Sequence, residues 1–308
     1  MRLVPTLLLL CAVTVPAAAQ QLVQAQNDNL SYGSYAVGWP SSVIAFRFTN
    51  AAASTLDAAQ VFTGNQSAAT HSLEIRTRNP GTGLPDQLVG QPGSWNVTHA
   101  RCWQGARFAQ PAVLAAATDY FLVWRVAGMF PQHSVCADLL PGAVLTEARY
   151  SDGNSWHAQN TTSAKFRLFA PYAAGSTAAF GSAKPGFYGN PTIGLSGWPA
   201  IGSPIDVWLD NAARVASSAP PNAALLIGWP IPGGLPFPFA NVFVTGEVLL
   251  MMNTRLHSSP TAGAVSHTLH VPNTPRAIGL PVSFQWFVLD PAAADGIAHS
   301  AAVTANLQ

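Results

Sequence analysis

Residues 171–187 read PYAAGSTAAFGSAKPGF. The stretch is rich in Ala, Gly and Ser, carries one charge, Lys184, and holds no sustained hydrophobic period. So little apolar surface cannot nucleate a core, and the stretch reads as a linker. Outward from it, the chain divides into a β-rich unit over residues 20–170 and a second over residues 188–308.

On the N-terminal side, apolar residues alternate with others. In VIAFRFTN, Ile44, Phe46 and Phe48 point one way, and Ala45, Arg47 and Thr49 the other. In HSLEIRTR, Leu73 and Ile75 oppose Ser72, Glu74 and Arg76; in KFRLFA, Phe166 and Leu168 oppose Lys165 and Arg167. Successive Cβ atoms leave opposite faces of a pleated strand, so each run is expected to offer one face to a core and one to water. Tyr120–Val126, YFLVWRV, is mostly apolar on both faces and is expected as a central strand covered on both sides. Turns punctuate these runs at Asn79-Pro80-Gly81, Gln91-Pro92-Gly93 and Ser151-Asp152-Gly153-Asn154. No segment keeps a helical apolar stripe for three turns. The expectation is a jelly-roll-like β-sandwich.

On the C-terminal side, PIDVWLD places Ile205, Val207 and Leu209 inward and Asp206, Trp208 and Asp210 outward. AALLIGW, NVFVTGEVLLMM, AVSHTLHV, VSFQWFVLD and SAAVTANL follow, and with Pro191–Gly197 they make about seven strands separated by Gly and Pro. That density predicts an immunoglobulin-like sandwich. The expected fold class is therefore all-β, with two β-sandwich domains joined by the Ala/Gly/Ser-rich linker.

Two resemblances accompany this reading. VIAFRFTNAAASTLDAAQVFTG, HSLEIRT and WQGARFAQPAVLAAATDYFLVWRV resemble exported bacterial β-sandwich domains of the choice-of-anchor type, over roughly residues 40–170. The second covers the C-terminal 120 residues or so. FGSAKPGFYGNPTIGLSGWPAIGSPIDVWLDNA and QWFVLDPAAADGIAHSAAVTANL resemble a recurring C-terminal module of exported bacterial proteins, with Pro191, Gly197, Pro199, Gly202, Gln285, Trp286, Asp290 and Pro291 matching its pattern. The resemblances imply a surface or extracellular location and adhesion-like roles, without a defined reaction.

The N-terminus agrees with export. Arg2 precedes an apolar run, Leu3–Val15, too short to span a bilayer, and Ala17-Ala18-Ala19 fits a small-x-small cleavage site. Residues 1–19 are read as a signal peptide, leaving a soluble, released chain that begins at Gln20. The whole chain has 14 Lys+Arg against 13 Asp+Glu, and loss of Arg2 balances them. Charged residues are only 9% of the sequence, and the basic ones are scattered singly. Such a surface cannot neutralise phosphates, so nucleic-acid binding is excluded; no second apolar run of roughly 18 residues is present, so membrane insertion is not expected.

Cys11 leaves with the signal; Cys102 and Cys136 remain. An even count in an exported chain predicts one disulfide, two buried thiols being the alternative. Familiar catalytic and nucleotide motifs are missing, and Gly194-Leu195-Ser196-Gly197 fails the nucleophile elbow because its second Gly comes one residue early. His267 and His270, three apart on a strand, fall on opposite faces and cannot clamp one metal. Asn27-Asp28-Asn29 and Asp152-Gly153-Asn154 carry one carboxylate each and read as turns rather than calcium loops. No cofactor and no catalytic residue is expected.

The remaining signal is aromatic. Trp95, Trp103, Tyr150 and Trp156 lie at expected strand ends or loops among Asn, Ser, Thr and His. Flat rings stack on sugar C–H faces while amides bind hydroxyls, so these four are the candidate glycan-binding residues; packing at sandwich edges is the alternative. The functional expectation is a non-catalytic cell-surface or matrix binding protein, with polysaccharide as the candidate partner. A self-assembling surface component and a hydrolase with an unrecognised site are the rivals.

Overall fold

The computed structural model describes residues 22–26, 35–36, 43–64, 70–126, 135–136, 148–151, 155–159, 165–172, 175–215, 219–256 and 262–308. Residues 1–19, read as a signal peptide, and the turns read at Asn27-Asp28-Asn29 and Asp152-Gly153-Asn154 lie outside these residues. The described chain is all-β, as expected.

The N-terminal half holds β1 (Leu22–Gln26), β2 (Tyr35–Ala36), β3 (Val43–Asn50), β4 (Ser54–Thr63), β5 (Thr70–Arg78), β6 (Pro85–Asn96), β7 (Cys102–Leu114), β8 (Thr118–Val126), β9 (Val135–Cys136), β10 (Ala148–Ser151), β11 (Trp156–Gln159) and β12 (Phe166–Phe169). They form one antiparallel sheet in the order β1-β12-β4-β7-β6-β5-β8-β3-β10-β11, with β9 beside β4 and β2 beside β9. β6 and β7 share a single residue pair, Gln91 with Gln110, and the sheet curls. Curling brings Ile44, Phe46, Leu73, Ile75, Leu122 and Trp124 from one limb against Leu56, Val61, Phe108, Phe166 and Leu168 from the other, in one buried cluster. β8 is the expected central strand. Tyr120, Leu122 and Trp124 enter that cluster, while Phe121 and Val123 pack with Val43 and Ala45 on the opposite face.

The C-terminal half holds β13 (Ser176–Phe180), β14 (Thr192–Gly197), β15 (Pro204–Ala212), β16 (Ala223–Gly228), β17 (Pro230–Phe237), β18 (Ala240–Val244), β19 (Val248–Met252), β20 (Arg255–Leu256), β21 (Gly263–His270), β22 (Pro281–Leu289) and β23 (Ile297–Asn306). A five-stranded sheet, β13-β23-β22-β16-β19, and a four-stranded sheet, β14-β15-β21-β20, enclose a second core around Val207, Leu209, Leu225, Phe284 and Trp286. Truncating an indole as buried as Trp286 to alanine costs about 3–5 kcal/mol. Gln285, one of the positions matching the C-terminal resemblance, pins the β17–β18 hairpin onto the larger sheet: its amide accepts from Phe243 N–H at 2.8 Å and donates to Asn241 O at 2.9 Å. Asp290, another, accepts from Phe187 N–H at 2.7 Å and Ala292 N–H at 3.0 Å.

The structure corrects three expectations. Ser176–Phe180, inside the stretch read as a linker, is a strand paired with β23 from Ser176–Asn306 to Phe180–Ala302. Its small side chains pack little, but its backbone completes the edge of a sheet. Glu74 does not face water; it is buried and bridges Arg76 at 2.7 Å and Arg125 at 2.8 Å. Lys165 and Arg167 are also buried, 4% and 3% exposed, with their cations over the rings of Phe62 and Trp103.

The Cys102–Cys136 disulfide is a fourth correction. Thr63 pairs with Cys102 on one side and with Val135 on the other, so β4 runs between the strands that carry the two cysteines. Two interstrand spacings, about 10 Å, exceed the roughly 7 Å Cα limit of a disulfide. Cys102 is a buried thiol whose Sγ lies 3.6 Å from Ala100 O.

Candidate functional site

The two halves meet where β7 touches β14, β15 and β21. Alternation along β15 builds the contact. Ile205, Val207 and Leu209 enter the C-terminal core, which sends Asp206, Trp208 and Asp210 to the opposite face. That face is covered by the N-terminal half rather than by water: Asp206 is 1% and Asp210 6% exposed.

Both carboxylates are held by the start of β7 and the segment that joins it to β6. Asp206 Oδ2 accepts from Trp103 N–H at 2.5 Å. Asp210 Oδ2 accepts from the Thr98 hydroxyl at 2.5 Å and from His99 N–H at 3.1 Å. The segment is folded around the Gln104 amide, which accepts from Thr98 N–H at 2.8 Å and donates to Thr63 O at 2.9 Å and Ala100 O at 3.2 Å. The Ser266 hydroxyl on β21 donates to Arg101 O. Burial pushes Asp206 up to about 6, against the opposing pull of the Thr268 hydroxyl, Trp103 N–H, Arg167 and His270. Burial raises Asp210 as well, against the Thr98 hydroxyl and His99.

Beside these contacts a cavity of about 190 Å³ opens between the halves, walled by Trp95 and Asn96 from the N-terminal half and by Ser196, Trp198 and Trp208 from the C-terminal half. Each indole is placed by its neighbours. Trp208 crosses β14 at its partner Gly194, where a Cβ would lie 2.0 Å from the Trp208 ring, so only glycine lets the ring lie there. Trp198 follows Gly197, whose φ of 93° turns the chain out of β14. Its ring packs against Phe169 at 5.6 Å and Tyr172 at 5.7 Å between centroids. Trp95 packs edge-on to His71 at 5.3 Å, and His71 Nδ1 accepts from Trp124 Nε1–H at 3.0 Å. The Trp95 Nε1–H is buried and has no partner among the described residues.

Of the four aromatics expected as a site, Trp95 alone reaches this cavity. Trp103 is 1% exposed, edge-on to Phe62 at 5.4 Å and beneath Arg167 at 3.9 Å, so it presents no face to a ligand. Trp156 packs against Val43, Ala45, Phe121 and Val123, on the sheet face opposite Trp95 and five strands away in the ladder. Tyr150 lies on β10 opposite Ile44 and His157, and its side chain lies outside the described residues. The sequence reading missed Trp198 and Trp208. Trp208 could have been found as a large aromatic on the outward face of an expected strand, flanked by two carboxylates.

Two larger hollows are less suited to a ligand. One, about 590 Å³, is lined by the short side chains of residues 51–54 with Val23 and Pro171. The other, about 330 Å³, contains Lys184, which is committed to Asp295 and Phe239 O, and His299, whose Nδ1 faces Ser300 O and whose Nε2 meets Asn241 N–H. No protein-family model matches this chain, and neither curated proteins nor solved structures yield a match.

Proposed function

We propose that this is an exported, non-catalytic polysaccharide-binding protein of the cell surface or matrix, built from a jelly-roll-like and an immunoglobulin-like β-sandwich. The observation that carries the reading is the cavity between the halves, where Trp95, Trp198 and Trp208 converge with an amide and a hydroxyl. A concave site that sets aromatic rings beside hydrogen-bonding groups is what one residue of a polysaccharide needs. The carboxylates nearest the cavity do not favour hydrolysis. Asp206 and Asp210 are four residues apart on one strand face, about 13 Å along it, and glycosidase pairs stand about 5–9.5 Å apart. Each is also engaged by backbone N–H groups. Retention of the purified protein on immobilised or insoluble polysaccharides tests the reading, with release of reducing ends assayed alongside. Retention without release supports it; sugar release at enzymatic rates would replace it with the hydrolase reading.

A second reading, self-assembly, is favoured by β19. This strand pairs only with β16 among the described strands, and Val248, Leu249 and Met251 are exposed on it. An apolar edge with open backbone groups is a template for another chain.

A further inference from the structure

We propose that the inter-half cavity recognises an uncharged glycan, one pyranose ring at a time, and discriminates against uronate-containing or sulfated polymers. This rests on the carbohydrate-binding reading and specifies its ligand class. Three observations carry it. First, the ten residues lining the cavity include no ionisable side chain. Acidic polymers are held by Arg forks or Lys ammonium groups, whereas Arg107 is committed to Asp57 and Tyr172 O, and Arg167 to the face of Trp103. Second, the charges set just behind the wall are of the wrong sign for an acidic glycan. The carboxylate of Asp210 lies behind Thr98, and that of Asp206 behind Trp103 N–H. In a poorly solvated site such charges repel an anion more strongly than in water.

Third, the free hydrogen-bonding groups suit hydroxyls. The Asn96 carbonyl accepts from Thr70, which leaves its amide N–H groups available, and Ser196 keeps its hydroxyl. The Gln104 amide is spent on the backbone of Thr63, Thr98 and Ala100 and serves as wall rather than ligand contact. The volume, about 190 Å³, is below the roughly 300–1,000 Å³ of pockets that take drug-sized ligands, which limits the site to a group as small as one sugar ring. Trp95 from one half and Trp198 and Trp208 from the other line the cavity, and electron-rich rings suit the C–H bonds of a pyranose.

The test is titration of the full-length mature chain with two uncharged probes, hydroxyethylcellulose and xyloglucan, and two acidic ones, polygalacturonate and alginate. Intrinsic tryptophan fluorescence and calorimetry supply the readouts. Trp208→Ala removes one stacking face. Ser196→Arg fills the cavity from a strand position whose side chain makes no hydrogen bond, and so remains informative if Trp208→Ala fails to fold. The expected result is binding of at least one neutral probe, unchanged by added salt, and weakened at least about fivefold by either variant at unchanged melting temperature. Preferential, salt-sensitive binding of the acidic probes would overturn the ligand class while leaving a glycan-binding protein. Neutral binding untouched by both folded variants would overturn the location. No binding to any of the four would bring down the carbohydrate reading itself, and this inference with it.

Discussion

Asp206 shows how one carboxylate can couple the junction to pH. Its ordinary value is 3.8 and burial moves it to about 6, so the folded state holds its proton more tightly than the unfolded chain. The associated stability is present below about pH 4 and is lost as pH rises through 6. The difference is worth about 3 kcal/mol. Asp206→Asn keeps an oxygen for Trp103 N–H but cannot ionise. Chemical denaturation of variant and parent at pH 4 and pH 7 should therefore show the variant gaining about 3 kcal/mol relative to the parent between the two. Parallel pH profiles would show that Asp206 is not the group responsible. The cysteines make the opposite case. Since β4 separates their strands, replacing Cys136 with Ser should leave the native state's resistance to denaturant the same in oxidising and reducing buffer. A reductant-dependent loss in the parent would revive the bridge.

At the scale of elements, β13 and β19 stand at the two edges of one sheet and behave differently. β13 looks like a tether in composition, yet it pairs with β23 over five residues. Adjacent strand residues direct their N–H groups alternately toward and away from the partner. Of Thr177→Pro and Ala178→Pro, one should therefore cost a ladder hydrogen bond, about 1–3 kcal/mol, and the other much less. Equal melting temperatures for the two would restore the linker reading of this stretch. β19 is legible in composition and open in structure, with Leu249 57% exposed. Sedimentation of the parent should show concentration-dependent self-association that Leu249→Lys abolishes, because a charge on an edge strand blocks pairing. A monomer at every concentration would remove the self-assembly reading.

For the whole molecule, the two halves are coupled by a packed junction. Ala200 is 1% exposed in a cluster with Ala58, Phe169, Tyr172 and Trp198, which joins residues from both halves. Ala200→Arg would force a charge and extra volume into that cluster. Calorimetry should change from one unfolding transition in the parent to two in the variant; two transitions in the parent would mean that the halves unfold independently. The alternation of Ile44, Phe46 and Phe48, of Leu73 and Ile75, and of Ile205, Val207 and Leu209 was legible in the sequence, as was the doubly covered β8. Cβ direction along a strand is a local property, and so is the apolar content of each face. Outside β8, the surroundings of the polar faces were not legible. Lys165, Arg167, Asp206 and Asp210 read as solvent-facing and are buried, and Trp208 reads as an outward aromatic and lines a cavity. Their surroundings come from residues about a hundred positions away, as when Trp103 N–H meets Asp206. By itself the sequence determined which residues could form strands and cores. Only the tertiary structure decided which polar faces would meet and so where a binding cavity could form, because that depends on the docking of two sheets and not on the period of either.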